Sequence, residues 1–296
     1  MGPLSAIDVP APAKINLFLA VTGGRGDGYH DLVSVAAPLL WGDEVHAEPA
    51  DAFSVECDDP AVPTDGSNLV LRAAAAFAKA SGWAGGARFS IRKKIPLGAG
   101  LGGASSDAVA ALTALNAMAG DPLDAAALAG VASSVGSDCA LFLSGRPVVM
   151  RGRGERIEAL SKEAYGRFRG MRVLVFKPAF AIPTPWAYAR LVAMAPRGYI
   201  SPARAEAMLG AWLGKPGAPV SELLYNSMEK AAFAKFAALP ELLQRIWDRF
   251  GIAARMSGSG SACYALLHED VDAVPIMAEI RGAWGAPALV VETRLA

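Results

Sequence analysis

Cysteine and histidine are both scarce, with three of each in 296 residues. Cys57, Cys139 and Cys263 are far apart and odd in number, and no Cys-x-x-Cys pair occurs. Neither a disulfide framework nor a zinc site of the usual ligand spacing is indicated. His30, His46 and His268 are equally dispersed, which argues against a histidine-rich metal centre, and no protein ligand to a metal is expected. Net charge is missing too: 28 Lys and Arg balance 28 Asp and Glu. That disfavours a protein that coats nucleic acid, while an anionic small ligand needs only a few local cations. No run of about 18 apolar residues occurs, so no membrane span is expected. No basic residue precedes Lys14, and Met1-Gly2-Pro3-Leu4-Ser5-Ala6 lacks the Ser or Thr that a myristoylation signal carries at its sixth position. The expectation is a cytoplasmic protein without signal peptide or membrane contact.

What is present is apolar material: 53% hydrophobic against 19% charged residues, ample for a packed core. The length suits about two domains. In "PAKINLFLAV", Ile15, Leu17, Leu19 and Val21 alternate with Lys14, Asn16, Phe18 and Ala20, the period of a strand. Lys14 and Asn16 therefore share one face, about 6–7 Å apart. "TGGRGDGYHD" is a glycine-rich turn, and "LVSVAAPLLWGDEVHAEP" and "FSVEC" read as further strands. "SNLVLRAAAAFAKASG" reads as a helix capped by Asn68 or Ser67, and "ARFSIRKKI" as a strand. "SSDAVAALTALNAMAG" reads as a helix with Ser105 or Ser106 at its N-cap and Gly120 at its close. Two more helices and the strand pair "PVVMRGRGERIEAL" follow. A charged stretch near residue 166 marks the expected boundary, giving domains 1–166 and 167–296. Beyond it come the strand "MRVLVFKP", a helix opened by proline in "IPTPWAYARLVAM", several helices over 202–250, a strand–turn–strand "AARMSGSGSACYALL", a helix and a last strand.

Four glycines within six residues of "IPLGAGLGGASSD" precede the helix that starts near Ser105. Glycine is costly to order, so the run calls for a reason. The first N–H groups of a helix lack intrahelical partners, the helix dipole adds positive potential, and glycine lets phosphate oxygens come close. A Walker A loop is excluded, because no Lys follows the glycines. Gly98, Gly100 and Gly103 satisfy Gly-x-Gly-x-x-Gly, but Asp121 and Asp124 fall between helices and not at a strand end as a dinucleotide fold requires. A glycine–serine phosphate loop remains, beside the plain alternative of a tight turn for close packing.

"PAKINLFLAVTGGRGDGYHDLVSV", "IPLGAGLGGASSDAVAALTALN" and "ARMSGSGSACYAL" resemble, in order, the three motifs of the GHMP small-molecule kinases. The resemblance implies an α/β (α+β) two-domain fold. Its N-terminal domain would be like ribosomal protein S5, its C-terminal domain ferredoxin-like, with ATP and substrate in a central cleft. "PAKINLFL" and "DGYH" resemble the members whose substrate is a methylerythritol unit linked to cytidine diphosphate. These pass the γ-phosphate of ATP to its 2-hydroxyl in the non-mevalonate isoprenoid route.

The same resemblance assigns roles. Asp138 in "GSDCALFL" would accept the proton of the attacking hydroxyl, and Lys14 would stabilise the transferring phosphoryl. From the residues alone, Asp138 reads equally as a helix N-cap and Lys14 as a strand lysine reaching for water. Asn16, Tyr29 and His30 would line the substrate pocket, Tyr29 stacking on the cytosine and His30 bonding its edge, with Thr184 and Tyr188 covering it. Pro96, Leu97, Gly98, Ala99, Gly100, Leu101, Gly102, Gly103, Ala104, Ser105 and Ser106 would wrap the ATP phosphates. Asn68 and Lys94 would lie near the adenosine. Ser257, Gly258, Ser259 and Gly260 would form a second glycine loop, which also reads as a simple hairpin turn. Mg²⁺ would arrive with ATP. Ala140 stands where the family often has proline. Rival readings are a mevalonate, homoserine or sugar kinase, and a nucleotide-binding sensor without catalysis. The partner expected is a small molecule, for a monomer or weak homodimer.

Overall fold

The computed structural model describes residues 5–296. The opening residues that bear on myristoylation lie largely outside it. Two compact units form, and neither is a single stretch of chain. One takes the residues up to Ala13 with Trp41–Leu97 and Gly102–Gly145; the other takes Lys14–Leu40, Gly98–Leu101 and Arg146–Ala296. Two long strands, β1 (Ile7–Gly24) and β2 (His30–Ala50), contribute to both. Residue 166 falls inside the second unit.

In the first unit, the C-terminal part of β2 pairs antiparallel with β4 (Gly86–Arg92), and β3 (Ser54–Cys57) pairs parallel with β4. Between β3 and β4 runs α1 (Leu69–Ser81), which Asn68 caps as expected: its side-chain oxygen accepts the Val70 N–H, and Gly82 closes the helix in the left-handed conformation. The helix after the glycine run, α2 (Gly103–Met118), differs from expectation at both ends. Its N-cap is Gly102 at φ 77°, with no side-chain cap, and its C-cap is Ala119. Positive φ costs glycine nothing, so the chain enters α2 one turn earlier, and Ser105 and Ser106 lie inside the helix. Buried residues fall on every side of α2, which makes it the central helix of the unit. Then come α3 (Ala125–Val135), capped by Asp124, and the short α4 (Cys139–Ser144).

In the second unit, the N-terminal part of β2 pairs with β5 (Val148–Gly152), and β6 (Arg156–Ala159) folds back on β5. After α5 (Lys162–Gly166) comes β7 (Arg172–Lys177), then α6 (Thr184–Ala193) with proline in its first turn, and α7 (Pro202–Leu213). The region expected to be all helix holds a two-residue strand, β8 (Tyr225–Asn226), which pairs parallel with β1 at Phe18 and Leu19. It is followed by α8 (Glu229–Phe233) and α9 (Ala238–Phe250). The chain ends with β9 (Ala254–Met256), β10 (Cys263–Leu267), α10 (Val274–Trp284) and β11 (Leu289–Arg294). Strands β11-β7-β10-β9 form an antiparallel sheet. Its core joins Leu174 and Phe176 to Leu191, Leu239, Leu242, Ile246, Ile276 and Ile280 from the helices. Among the described residues, no helix is long and apolar enough to cross a membrane.

Candidate active site

Lys14 and Asn16 are both buried on β1. The shared face inferred from their spacing is therefore covered and not open to water. The Lys14 ammonium donates to the Asn16 side-chain oxygen at 2.6 Å, and the Lys14 N–H donates to the Leu101 carbonyl at 2.9 Å. Asn16 is held on every side. Its amide donates to the Ser34 hydroxyl at 2.9 Å, its N–H to Ser257 Oγ at 3.3 Å, and its carbonyl accepts the Tyr264 hydroxyl at 3.0 Å. A buried polar side chain with this many partners has one orientation.

The two glycine loops touch within the second unit. Ser257 Oγ donates to the Gly100 carbonyl at 3.0 Å, and the Ala262 N–H to the Ala99 carbonyl at 3.0 Å. Gly100 has φ +76°, and a Cβ there would lie 2.2 Å from the Ser257 carbonyl oxygen. Gly258, at φ +56°, would place a Cβ 3.0 Å from the Gly100 carbonyl oxygen. For Gly100 the packing reading of the glycine run therefore holds: loop-on-loop contact forbids a side chain. Asn226 supports the second loop, donating from its amide to the carbonyls of Met256 and Gly258 at 2.8 and 2.9 Å. The second loop is more than a hairpin turn, because Ser259 Oγ lies 2.9 Å from Thr184 Oγ1 at the start of α6.

His30 faces Tyr188, their ring centroids 4.6 Å apart, and Tyr199 lies 6.1 Å from His30 on another side. Burial lowers the His30 pKa below the ordinary imidazole value. Its Nε2 is buried without a hydrogen-bond partner. Tyr29 is half exposed and carries the Arg153 guanidinium 4.8 Å from its ring centroid. The ring beside Tyr188 is thus His30. Both belong to the second unit.

In the first unit, Ser106, the fourth residue of α2, has a buried hydroxyl without a partner. Ser105 hydrogen-bonds the Cys139 thiol, which burial pushes up to about 11. That bond ties α2 to the residue following Asp138. Asp138 occupies the N-cap position of α4, yet its side chain makes no cap hydrogen bond, so the capping role is not the one it plays. Pro96 is half-buried, Leu97, Gly98 and Ala104 are exposed, and Ala99 and Leu101 are buried. Asn68 spends its side chain on Val70 N–H and the Pro63 carbonyl. Lys94 extends to Glu44 at 2.7 Å and is half exposed.

The reading of the sequence missed Lys93. Its ammonium lies 2.5 Å from Asp43 and 2.8 Å from Asp107, all three side chains at most 5% exposed. Strand alternation carried the signal: Ala87, Phe89 and Ile91 are buried on β4, so the next inward position is 93.

Two family models match the chain, GHMP kinases N terminal domain over residues 68–146 and GHMP kinases C terminal over residues 213–285. A 4-diphosphocytidyl-2-C-methyl-D-erythritol kinase of Prochlorococcus marinus (strain MIT 9313) is 35% identical, over 96% of this chain and 91% of that protein. A crystal structure of 4-(cytidine 5'-diphospho)-2C-methyl-D-erythritol kinase matches with a TM-score of 0.74 at 34% identity, covering 97% of this chain and 99% of the other. The homoserine kinase of Cytophaga hutchinsonii reaches a TM-score of 0.75 at 19% identity, covering 98% and 95%. The backbone alone therefore does not separate the two kinds of kinase, and the sequence is more similar to the first. The chain belongs to the GHMP kinases, in the family of the 4-diphosphocytidyl-2-C-methyl-D-erythritol kinases.

Proposed function

We propose that the protein transfers the γ-phosphate of ATP to the 2-hydroxyl of 4-diphosphocytidyl-2-C-methyl-D-erythritol, in the non-mevalonate isoprenoid route. The observation that carries the substrate is the buried, unpartnered His30 Nε2 beside the Tyr188 ring. An aromatic ring and an unspent ring nitrogen suit a base, with a π-face to stack and an edge to hydrogen-bond. Homoserine and mevalonate offer neither. Tyr29, Asn16 and Thr184 complete this substrate set.

Phosphoryl transfer asks the protein for positioning and for charge where charge develops. The turn 96–106 supplies backbone N–H groups, and the Ser106 hydroxyl is the group we assign to a phosphate oxygen. Ser257–Gly260 backs that turn. Lys94 contacts the nucleotide, while Asn68 serves as the α1 cap. Mg²⁺ arriving with ATP would supply charge neutralisation on the phosphates. Asp138 takes the proton of the attacking hydroxyl at its carboxylate. Lys14, oriented by Asn16, stabilises the transferring phosphoryl. The functional division is 1–166 and 167–296, with the two family models on either side of the cut. The enzyme works in the cytoplasm as a monomer or weak homodimer.

An ADP-release assay against the cytidine compound, mevalonate and homoserine tests this reading. Turnover of the cytidine compound alone is expected; turnover of homoserine without it overturns the assignment. Asp138→Asn and Lys14→Met should each lower kcat by about a hundredfold or more, with ATP affinity nearly unchanged.

A further inference from the structure

The chain from Ile95 to Asp107 contains the whole glycine run, and both of its ends meet at one ionic cluster. On the entry side, Asp43 Oδ1 accepts the backbone N–H groups of Lys94 and Ile95 at 2.5 and 2.7 Å. The Lys93 N–H donates to Asp58 Oδ1 at 2.8 Å. On the exit side, Asp107 lies in the second turn of α2 and accepts the Lys93 ammonium at Oδ2. The same ammonium donates to Asp43 Oδ2. Lys93 also packs under the first residue of α2: a Cβ on Gly103 would lie 3.2 Å from its nitrogen and 3.1 Å from Ile95.

We propose that Lys93, bridging Asp43 and Asp107, is a positioning residue that fixes the two ends of the phosphate-binding turn relative to each other. This rests on the reading of residues 96–106 as the ATP phosphate site. The physical argument is one of direction. Apolar side chains of similar volume could hold β4 and α2 together at least as well, because burying charges is expensive. They could not fix register to tenths of an ångström, as a hydrogen-bonded ammonium with two defined acceptors does. A turn that must present several N–H groups to phosphate oxygens at once needs that register. Asp43 adds to it by spending one oxygen on the ammonium and the other on two consecutive backbone amides.

Calorimetric titration with ATP and Mg²⁺ tests the proposal on the folded full chain. Lys93→Met keeps the unbranched stem and removes the donor to both carboxylates. It should weaken ATP binding at least tenfold while the KM of the cytidine substrate stays within twofold. Asp107→Leu should do the same. Wild-type ATP affinity in either variant, or an equal loss for both substrates, overturns the clamp. Failure of the wild-type chain to bind ATP would instead overturn the phosphate-site reading itself. Amide hydrogen exchange on the wild type keeps the test open where a variant does not fold. ATP with Mg²⁺ should slow exchange at 93–95 and 102–107 together, and protection confined to one end contradicts a single bridge.

Discussion

Gly100 and Ser257 are joined across 157 residues of chain: the serine hydroxyl donates to the glycine carbonyl, and the serine carbonyl occupies the place a side chain on residue 100 would need. The first and third motifs of the family meet the middle one here, since Asn16 N–H also donates to Ser257 Oγ.

Gly100→Ala should be among the most damaging single methyl additions in the protein. The substitution places an L-residue at φ +76°, which costs about 1–2 kcal/mol. It also drives the methyl into backbone, which cannot swing aside. We expect a loss of about 3 kcal/mol or more by denaturant unfolding, with activity lost in the same step. Gly120→Ala is the control, because it shares positive φ with nothing within 4 Å. It should lose only the conformational part.

His30→Phe separates binding from packing. Phenylalanine keeps a ring against Tyr188 and removes the buried nitrogen that has no partner. Stability should hold or rise, because an unsatisfied buried polar atom costs about 1–3 kcal/mol. The KM of the cytidine substrate should rise about tenfold, with the KM of ATP unchanged. Steady-state kinetics at saturating ATP reads this directly. An unchanged KM for the cytidine compound would remove His30 from the pocket.

Much of this site was legible because local chemistry dictates it. A glycine run before an alanine-rich helix reads as a turn feeding a helix N-terminus, and so it folds, with Asn68 and Asp124 capping as their side chains predict. The helix starts before the residues its serines point to, because Gly102 takes the cap position through its positive φ. Alternation put Lys14 and Asn16 on one face. It could not say that Ser34, Tyr264 and Ser257 would cover Asn16, since those partners come from remote strands and loops. For the same reason the His30–Tyr188 contact, between the first residue of β2 and a distant helix, left no trace in local pattern. Lys93 is different: Phe89 and Ile91 mark the inward face of β4, and the strand period carries that face on to residue 93.

Ser106→Ala should show opposite signs for stability and binding. The Ser106 hydroxyl is buried and unpartnered in the protein alone, so deleting it relieves a cost of about 1 kcal/mol or more. The melting temperature should rise or stay level. If that hydroxyl meets a phosphate oxygen, ATP binding should weaken about five- to tenfold. A lowered melting temperature with normal ATP affinity would contradict the assignment. Sites that sacrifice stability for function behave in this way.

Asp107 makes stability depend on pH in a direction opposite to that of an ordinary salt-bridged aspartate. Burial pushes its carboxyl up to about 7, against the pull of the Lys93 ammonium and with the help of the Asp43 charge. Lys93 is held above its ordinary value: burial works against its charge, and the Asp107 and Asp43 carboxylates outweigh that. An unfolded aspartate titrates near 4. Between about pH 4 and 7 the folded chain therefore keeps a proton that the unfolded chain has released. The stability this group contributes is complete below about pH 4 and is lost as the pH rises through 7, at up to about 1.4 kcal/mol per pH unit. Asp107→Asn removes the titration while still offering Lys93 an oxygen. The melting temperature of the variant, minus that of the wild type, should grow more positive from pH 5 to pH 8, by about 2–4 °C for each kcal/mol in a chain of this size. A difference that is flat or falls with pH would mean that Asp107 is ionised in the folded protein throughout this range, and that the cluster carries a full extra negative charge beneath the turn.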